Sequence, residues 1–437
     1  MKYIKKATQS AEEQSSETRK VVECILSDIR TNGEDAVRAI AKKFDNWDQE
    51  FLLTPEKKIR LIDSVPEHVK KDIQFAHNQI TAFAKAQRHS IQDFEIITPA
   101  GVRAGQRVIP MNVAGCYVPG GRFAHTCSAL MSIVTAKVAG VPFVVAATPP
   151  RGESIDASTC YAMDLAGADI ILEMGGVQAI ACMAYGIFTG KSANIIAGPG
   201  NEFVSEAKAI LAGEGVCGMD LFAGPSEIAI IADDKADPMT VAIDLLSQGE
   251  HGTNSPVWLF SESRALCEKV IELMPKLIAD MPDPATPEKS WEKYGEIILC
   301  KSEEEVVEVS DRYAPEHLEV LVDNPEWWLE RLSSYGSLFM GEASTITHGD
   351  KCSGPNHILP TRKTAHFSGG LNVHKYLKIL TYQEPTDKDV SSLISEYSSR
   401  LSRIEGMEGH ARACDWRLTQ YNPGKKYAFN VYQHPAY

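Results

Sequence analysis

Apolar residues recur at three- and four-residue spacing among charged positions through the first ninety residues of the chain. This spacing is typical of amphipathic helices, which we predict over residues 17–32, 35–44, 55–64 and 66–88. From Phe94 the period shifts toward two and glycines appear, which predicts a short β-hairpin reaching Pro110.

The next 120 residues alternate short apolar runs with helical segments. Such alternation predicts parallel strands covered by helices on both faces. Ligands of such sheets bind beyond the carboxyl ends of the strands, where glycines follow three of the runs, at 120–121, 175–176 and 198–200. No G-x-G-x-x-G motif is present, and each glycine taken alone is equally well explained as a tight turn. The predicted strands are 113–118, 143–148, 169–173, 194–197 and 228–232, and the predicted helices are 127–139, 155–166, 177–185 and 202–212.

A second α/β pattern runs from residue 238 to residue 340, and two further helices are predicted at 387–403 and 405–419. The fold class is therefore α/β, with two Rossmann-like parallel-sheet lobes, a helical N-terminal segment and a small C-terminal helical unit. The predicted domains are a helical N-terminal part of the first lobe at 1–116, a Rossmann-like lobe at 117–226, a second lobe at 227–370 and a C-terminal domain at 371–437.

Composition narrows the class of partner. The 437 residues include 44 basic and 58 acidic side chains, a net charge of −14 that argues against nucleic acid or an anionic membrane as the partner. Ten scattered cysteines without a C-x-x-C pair are typical of a reducing compartment. No run approaches a membrane span or a leader, so we expect a soluble, cytoplasmic protein.

The stretch from Gly349 to Thr361 collects a carboxylate, an amine, a thiol, an amide and an imidazole between glycines and prolines. We expect it to be neither regular helix nor strand, but a loop that presents side chains at the floor of a site. A buried strand, 337–340, precedes it and would deliver it rigidly.

Three other segments place imidazoles near carboxylates or amides. Gln248 and His251 are three residues apart and are expected on one helical face; Glu316 and His317 are adjacent and would point in opposite directions if extended. His410 lies near a predicted helix start. Each has an ordinary structural explanation, such as a helix cap, but together with Asp350 and His357 they offer ligands for zinc or manganese and a Glu-His pair for proton transfer.

Nine motifs occur in order along nearly the whole chain: CYVPGG (116–121), TAKVAGV (135–141), GGVQAIACMAYG (175–186), AGPGNEFVSEAK (197–208), DLFAGPSEIAIIAD (220–233), DLLSQGEHG (244–252), APEHLEV (314–320), SGPNHILPT (353–361) and EGMEGHA (405–411). Through these motifs the chain resembles the histidinol dehydrogenase family. The resemblance implies an NAD-dependent enzyme that oxidises a primary alcohol to an acid in two hydride transfers without releasing the aldehyde, and an NAD-binding lobe at 117–226.

Matched motif by motif, the resemblance implies one Zn²⁺ per subunit, NAD⁺, and a domain-swapped homodimer in which His410 reaches the partner's site. The implied roles are zinc ligation by Gln248, His251, Asp350 and His410; acid/base chemistry by Glu316 and His317; substrate contacts by Ser226, His357 and Glu405; and NAD contacts by Tyr117, Gln178 and Asn201. The zinc ligands and His317 would also border the substrate.

Two segments depart from the usual histidinol dehydrogenase pattern, at 120–127 and 365–376, and resemble the family's sulfopropanediol 3-dehydrogenases instead. The first adds Arg122 and His125, which favour an anionic sulfonate over cationic histidinol. Arg122 could equally contact the NAD pyrophosphate. Histidinol oxidation, a zinc hydrolase and a non-catalytic paralogue are the competing functions.

Overall fold

The structure, a computed structural model, describes residues 1–9, 16–120, 124–222 and 224–427. It divides into two compact units: Met1–His89 with Pro110–Tyr376, and Ser90–Ile109 with Leu377–Tyr437. No helix among the described residues is both long enough and apolar enough to cross a membrane.

Fourteen strands occur in the described residues: β1 (Lys2–Lys5), β2 (Phe94–Ile97), β3 (Val102–Pro110), β4 (Val113–Tyr117), β5 (Phe143–Thr148), β6 (Ile170–Glu173), β7 (Ile195–Ala197), β8 (Gly218–Met219), β9 (Ile228–Ala232), β10 (Val257–Ser261), β11 (Gly295–Leu299), β12 (His317–Leu321), β13 (Ser337–Met340) and β14 (Leu377–Pro385). The α-helices are α1 (Ser16–Phe44), α2 (Pro55–Ser64), α3 (Glu67–His89), α4 (Thr126–Ala139), α5 (Ala157–Ala166), α6 (Gly176–Tyr185), α7 (Glu202–Gly213), α8 (Pro238–Gly249), α9 (Arg264–Ala279), α10 (Ala285–Tyr294), α11 (Glu303–Tyr313), α12 (Pro325–Leu329), α13 (Ile346–Lys351), α14 (Lys388–Ile404) and α15 (Glu408–Tyr421).

The first sheet of the larger unit is parallel, in the order β6-β5-β4-β7-β8. The chain proceeds outward from β4 to β6 and then returns to β7 on the other side of β4. The carboxyl ends of β4 and β7 therefore flank the point where the strand order reverses, which is where α/β sheets bind ligands. Helices α1, α6 and α7 share one apolar core with the sheet, and α3, α4 and α5 pack against one another.

The second sheet has the order β1-β11-β10-β9-β12-β13. Strands β9 to β13 are mutually parallel, and β1 joins the edge antiparallel to β11. The core on one face includes residues of α8 and α9, and the core on the other face includes residues of α11 and α12. Strand β9 is buried at all five positions, as its apolar sequence predicts.

The smaller unit contains the sheet β14-β3-β2 and the helix pair α14 and α15. Its helices are held together by Arg403, which lies 2.6 Å from Asp415 in an ion pair largely removed from solvent. The hairpin of β2 and β3 thus lies in the same unit as the C-terminal residues, whereas the sequence placed it in the first lobe. The pairing of β3 with β14, nearly 300 residues later, is a long-range contact that periodicity does not reveal.

The prediction for the Gly349–Thr361 stretch is wrong at its start, because Gly349, Asp350 and Lys351 form the last turn of helix α13. The buried Glu319 carboxylate accepts a hydrogen bond from Ile346 N–H at 2.9 Å and so stabilises the beginning of this helix. Burial and the neighbouring Asp244 raise the pKa of Glu319 to about 8.

A buried ion pair fixes the glycine turn after β7. Lys208 Nζ lies 2.7 Å from Asp220 Oδ1 and 2.8 Å from the carbonyl of Gly198, while Gly198 N–H donates to Asp220 Oδ2 at 2.8 Å. Both charged side chains are 0% exposed. Glycine is required at 198, because a Cβ there would lie 1.9 Å from the Tyr117 carbonyl oxygen and φ is +124°.

We expect Lys208→Met to lower the free energy of unfolding by about 3–5 kcal/mol, since it leaves the Asp220 carboxylate buried without its cation. Lys235→Met is the matched control; it removes an exposed ion pair with Asp323 and should cost about 1 kcal/mol or less. Urea unfolding of both variants measures the difference. Equal stability losses would contradict the assigned role of the pair.

Candidate active site

Glu316 and His317 lie at the start of β12, at the amino edge of the second sheet. Both are buried, at 6% and 4% exposure, and His317 Nδ1 lies 3.3 Å from Glu316 Oε2. The expectation that the two side chains point apart is therefore wrong. Strand alternation does not apply to Glu316, because it precedes the first paired residue of β12.

The hydrogen bonds of His317 determine which of its nitrogens carries a proton. Nδ1 lies 3.0 Å from the carbonyl oxygen of Glu227, which can only accept, so Nδ1 is the protonated nitrogen. Nε2 is buried and makes no hydrogen bond to any described residue. Its nearest charged neighbour is Asp350 Oδ1, at 3.7 Å, too far for a hydrogen bond.

Electrostatics at this position oppose one another. Burial would lower the pKa of His317, but the carboxylates of Glu316 and Asp350 outweigh it and raise the pKa well above its ordinary value. Burial likewise favours the neutral form of Asp350, yet its interactions with His317 and His357 hold the Asp350 pKa below its usual range. His317 and Asp350 are therefore a mutually stabilising pair of opposite charges.

The segment after α13 is fixed to the first lobe through His357. Its Nδ1 lies 2.7 Å from the main-chain carbonyl of Asp350, which fixes the proton on Nδ1, and Nε2 lies 2.9 Å from the hydroxyl of Ser128. Loss of contact with water lowers the pKa of His357. Ser128 belongs to the first turn of α4, so this contact joins the two lobes. Sequence reasoning missed Ser128, for which no local motif gives a signal.

His125 lies directly before α4 and belongs to the same neighbourhood. Burial lowers its pKa, and the positive charges of His357, Lys351 and His251 lower it further. The structure therefore brings His125 into the electrostatic field of the predicted site. Arg122, the other residue predicted to recognise an anion, lies outside the described residues.

Gln248 and His251 lie at the end of α8, but the helix stops at Gly249 and His251 follows it in an exposed turn. The expectation of one shared helical face fails for that reason. The Gln248 side chain is 1% exposed, and its Nε2 makes no hydrogen bond to a described residue. The nitrogen and the oxygen of an amide have nearly the same shape, so the Gln248 side chain fits equally well with its oxygen in the position of Nε2. A buried amide oxygen in that position is suited to ligate a cation.

A hydrogen bond links α8 to the start of α13. Thr345 donates to the Asp244 carboxylate at 3.1 Å, which joins α8, the helix of Gln248, to α13, the helix of Asp350. Among the described residues no group of three His, Cys, Asp or Glu could hold a metal ion. Of the four predicted metal ligands, the larger unit contains His251, Asp350 and the amide of Gln248, so only two of its ligands are His, Cys, Asp or Glu.

His410 and Glu405 lie in the smaller unit, where both are exposed, His410 on α15 and Glu405 directly after α14. Their predicted entry into a partner's site stays a prediction. Ser226 is half-buried in the loop before β9, next to Glu227. Glu227 is the second residue that sequence reasoning missed. Its signal was a carboxylate placed directly before the wholly apolar run of β9.

The three predicted NAD contacts follow strands of the first sheet at its carboxyl edge. The Tyr117 hydroxyl accepts from Gly176 N–H at 3.2 Å, and Gln178 Nε2 donates to Asp45 at 2.7 Å. Asn201 caps α7 by accepting from Val204 N–H at 3.1 Å. The N-terminus of α6 has no side-chain cap, so the N–H groups that follow Gly176 in its first turn are available to an anion such as a pyrophosphate.

Comparison with known proteins agrees with this architecture. The histidinol dehydrogenase family profile matches residues 8–418. Sulfopropanediol 3-dehydrogenase of Ruegeria pomeroyi is 46% identical over 98% of both chains, and a histidinol dehydrogenase homologue of Pelagibacter ubique is 48% identical over 96% of this chain and 98% of its own. The crystal structure of histidinol dehydrogenase from Elizabethkingia anophelis superposes with a TM-score of 0.89 at 30% identity, covering 95% of each chain. The chain is thus an NAD-dependent dehydrogenase that belongs to the histidinol dehydrogenase family.

Proposed function

We propose that the protein is a zinc-dependent NAD⁺ dehydrogenase that oxidises a primary alcohol to a carboxylate in two hydride transfers through a bound aldehyde. Its proposed substrate is 2,3-dihydroxypropane-1-sulfonate, which would yield sulfolactate. The observation that carries the proposal is the buried imidazole of His317, whose Nδ1 is held by a carbonyl and whose Nε2 has no hydrogen bond to the part of the chain that the structure describes. That arrangement suits a proton acceptor for a bound hydroxyl.

His317 would accept the proton of the substrate hydroxyl at Nε2 as the first hydride leaves. Glu316 would then remove a proton from the water that adds to the aldehyde, and the second hydride leaves from the resulting hydrate. The two oxidations consume one water and reduce two NAD⁺, which balances the four electrons lost by the alcohol. The overall reaction releases three protons, from the alcohol hydroxyl, from the added water and from the carboxylic acid as it ionises, and a carboxylate and an imidazole placed 3.3 Å apart can pass them to solvent in turn.

Gln248, His251 and Asp350, with His410 of a second copy, would hold the metal. Zinc at this position would supply a Lewis acid that orients and polarises the substrate oxygen. Asp350 would share its charge with the metal, which weakens its hold on the His317 proton and favours the neutral imidazole that the first step needs. The buried Gln248 Nε2, which has no hydrogen-bond partner among the described residues, and the negatively charged Asp350 support this assignment.

The proposed cofactor site lies at the carboxyl edge of the first sheet, between the loops after β4, β6 and β7. Tyr117, Gln178 and Asn201 would contact the dinucleotide there. Two observations support this position: the reversal of strand order between β4 and β7, and the uncapped N-terminus of α6. The contact between His357 and Ser128 joins this lobe to the segment that carries Asp350.

The preference for an anionic substrate rests on Arg122 and His125 and on the relative named sulfopropanediol 3-dehydrogenase, which is 46% identical to this chain. Ser226, His357 and Glu405 of the partner are the other proposed substrate contacts. A guanidinium near the substrate would repel the ammonium group of histidinol and would form charge-assisted hydrogen bonds with a sulfonate.

Single-turnover kinetics test whether Glu316 and His317 have separate roles. Glu316→Gln should still give a burst of about one NADH per site and then stall, because hydration of the aldehyde loses its base, whereas His317→Asn should lose the burst and fall about 10²–10⁴-fold in rate. Exposed Glu330→Gln is the control and should behave as wild type. Identical defects in the two variants would contradict the separate roles.

Subunit complementation tests the shared metal site. His410→Ala and His251→Ala chains should each be inactive, and an equal mixture should recover about a quarter of wild-type activity, since half of the dimers would contain one intact site of two. Two differently tagged His251→Ala chains, mixed in the same way, are the control. No recovery in mixed dimers isolated through both tags would place His410 in its own chain's site.

Substrate competition tests the anionic preference. Wild type should favour 2,3-dihydroxypropane-1-sulfonate over histidinol, and Arg122→Ala should lower kcat/KM for the sulfonate by about ten- to a hundredfold, as expected for one charge-assisted hydrogen bond. Glycerol, which has no sulfonate, is the control substrate and should be indifferent to the change. A preference for histidinol, or a loss confined to the KM for NAD⁺, would overturn the sulfonate assignment.

A further inference from the structure

The backbone of one residue, Glu227, contacts both members of the proposed acid/base pair. Glu227 N–H donates to Glu316 Oε2 at 2.8 Å, and Glu227 C=O accepts from His317 Nδ1 at 3.0 Å and from His317 N–H at 3.3 Å. The N–H bond holds one carboxylate oxygen of Glu316, and the carbonyl presents Nε2 of His317. A shift of the Glu227 backbone would therefore misalign both groups at once.

The side chain of Glu227 anchors this backbone to a second loop. It is 4% exposed, and its Oε1 accepts from Arg362 N–H at 2.9 Å. Arg362 and Lys363 have φ of +54° and +62°, so two successive residues that carry a Cβ lie in the left-handed region. Such a turn persists only where neighbouring contacts hold it, and the Glu227 carboxyl supplies one of them.

Burial is the main reason that the Glu227 carboxyl favours its neutral form. It raises the pKa of Glu227 to about 8; the Glu316 carboxylate acts in the same direction, whereas the hydrogen bond from Arg362 N–H and the charge of His317 act against it. The second oxygen, Oε2, has no hydrogen-bond partner among the described residues. The other titratable or charged side chains that share a pocket of 480 Å³ with Glu227 are Lys6, Tyr294, Glu296, Arg312, Tyr313, Arg362 and Lys363.

We propose that Glu227 is a positioning residue, whose carboxyl holds the Arg362 turn so that the Glu227 backbone keeps Glu316 and His317 aligned. This inference rests on the proposed roles of Glu316 and His317. It assigns a function to a residue outside the proposed metal, substrate and cofactor contacts. It also explains a buried carboxyl at the start of an apolar strand that forms no ion pair with a described Lys or Arg.

Three variants separate positioning from simple stability. Glu227→Gln keeps an oxygen for Arg362 N–H and should retain kcat within about threefold, whereas Glu227→Ala should lower kcat about tenfold or more while each KM changes less than about threefold. Arg362→Gly should restore much of the activity lost in Glu227→Ala, because glycine adopts a positive φ without the carboxyl. Arg362→Gly alone, in the wild-type background, is the matched control and should change kcat less than about threefold.

Thermal unfolding provides a measurement that does not need an active enzyme. The pKa of Glu227 is higher in the folded chain than its ordinary value of 4.5, so the folded state binds more protons between pH 4.5 and about 8, and stability falls as the pH rises through this range. Glu227→Gln cannot ionise, so its Tm relative to wild type should increase steadily from pH 5 to pH 8. Glu330→Gln should show no such trend.

The positioning role would be overturned if Glu227→Ala kept the wild-type kcat. It would also be overturned if adding Arg362→Gly to Glu227→Ala restored none of the lost kcat. If Glu227→Ala fails to fold, the deciding result is the Tm difference between Glu227→Gln and wild type. A difference that does not vary with pH would overturn the proposal. His317→Asn, measured in parallel, distinguishes the two levels of the account. A fully active His317→Asn chain would overturn the acid/base assignment itself, whereas an inactive one beside a fully active Glu227→Ala chain would overturn only the role of Glu227.

Discussion

The hydrogen bond between His317 Nδ1 and the carbonyl of Glu227 connects the fold to the chemistry. Because strands β9 and β12 pair in parallel from His317 onward, the residue before β9 lies beside the first residue of β12. The sheet itself therefore fixes the imidazole and leaves Nε2 for a ligand. A catalytic group held by sheet backbone is positioned more rigidly than one on a free loop, which reduces the reorganisation needed during reaction.

The two lobes use opposite edges of their sheets. The first presents glycine turns and helix N-termini at the carboxyl ends of its strands, as doubly wound sheets usually do. The second presents Glu316 and His317 at its amino edge, with Asp350 from the short helix α13 beside them. Neither edge alone offers both the proposed cofactor site and the proposed proton acceptor. The contact between Ser128 and His357 joins them within one compact unit.

Sequence patterns located most of the regular structure because strands buried on both faces and amphipathic helices have strong signatures. They failed where tertiary contacts decide the conformation. Helix α13 forms in a glycine-containing stretch because Glu319 caps it from another strand, and β14 is largely exposed, so it lacks an apolar pattern. Family resemblance identified the candidate residues, but not Glu227 or Ser128, whose importance lies in hydrogen bonds to residues distant in sequence. Arg122 itself lies outside the described residues. The proposed roles of Glu405 and His410 require a second copy of the chain.

We propose that one site carries out both oxidations on a bound intermediate. The most direct measurement is the ratio of NADH formed to alcohol consumed when a limiting amount of 2,3-dihydroxypropane-1-sulfonate is exhausted, with the products identified by mass spectrometry. We expect two NADH per alcohol, sulfolactate as the product and no free aldehyde at any time. One NADH per alcohol, with aldehyde accumulating in solution, would contradict it.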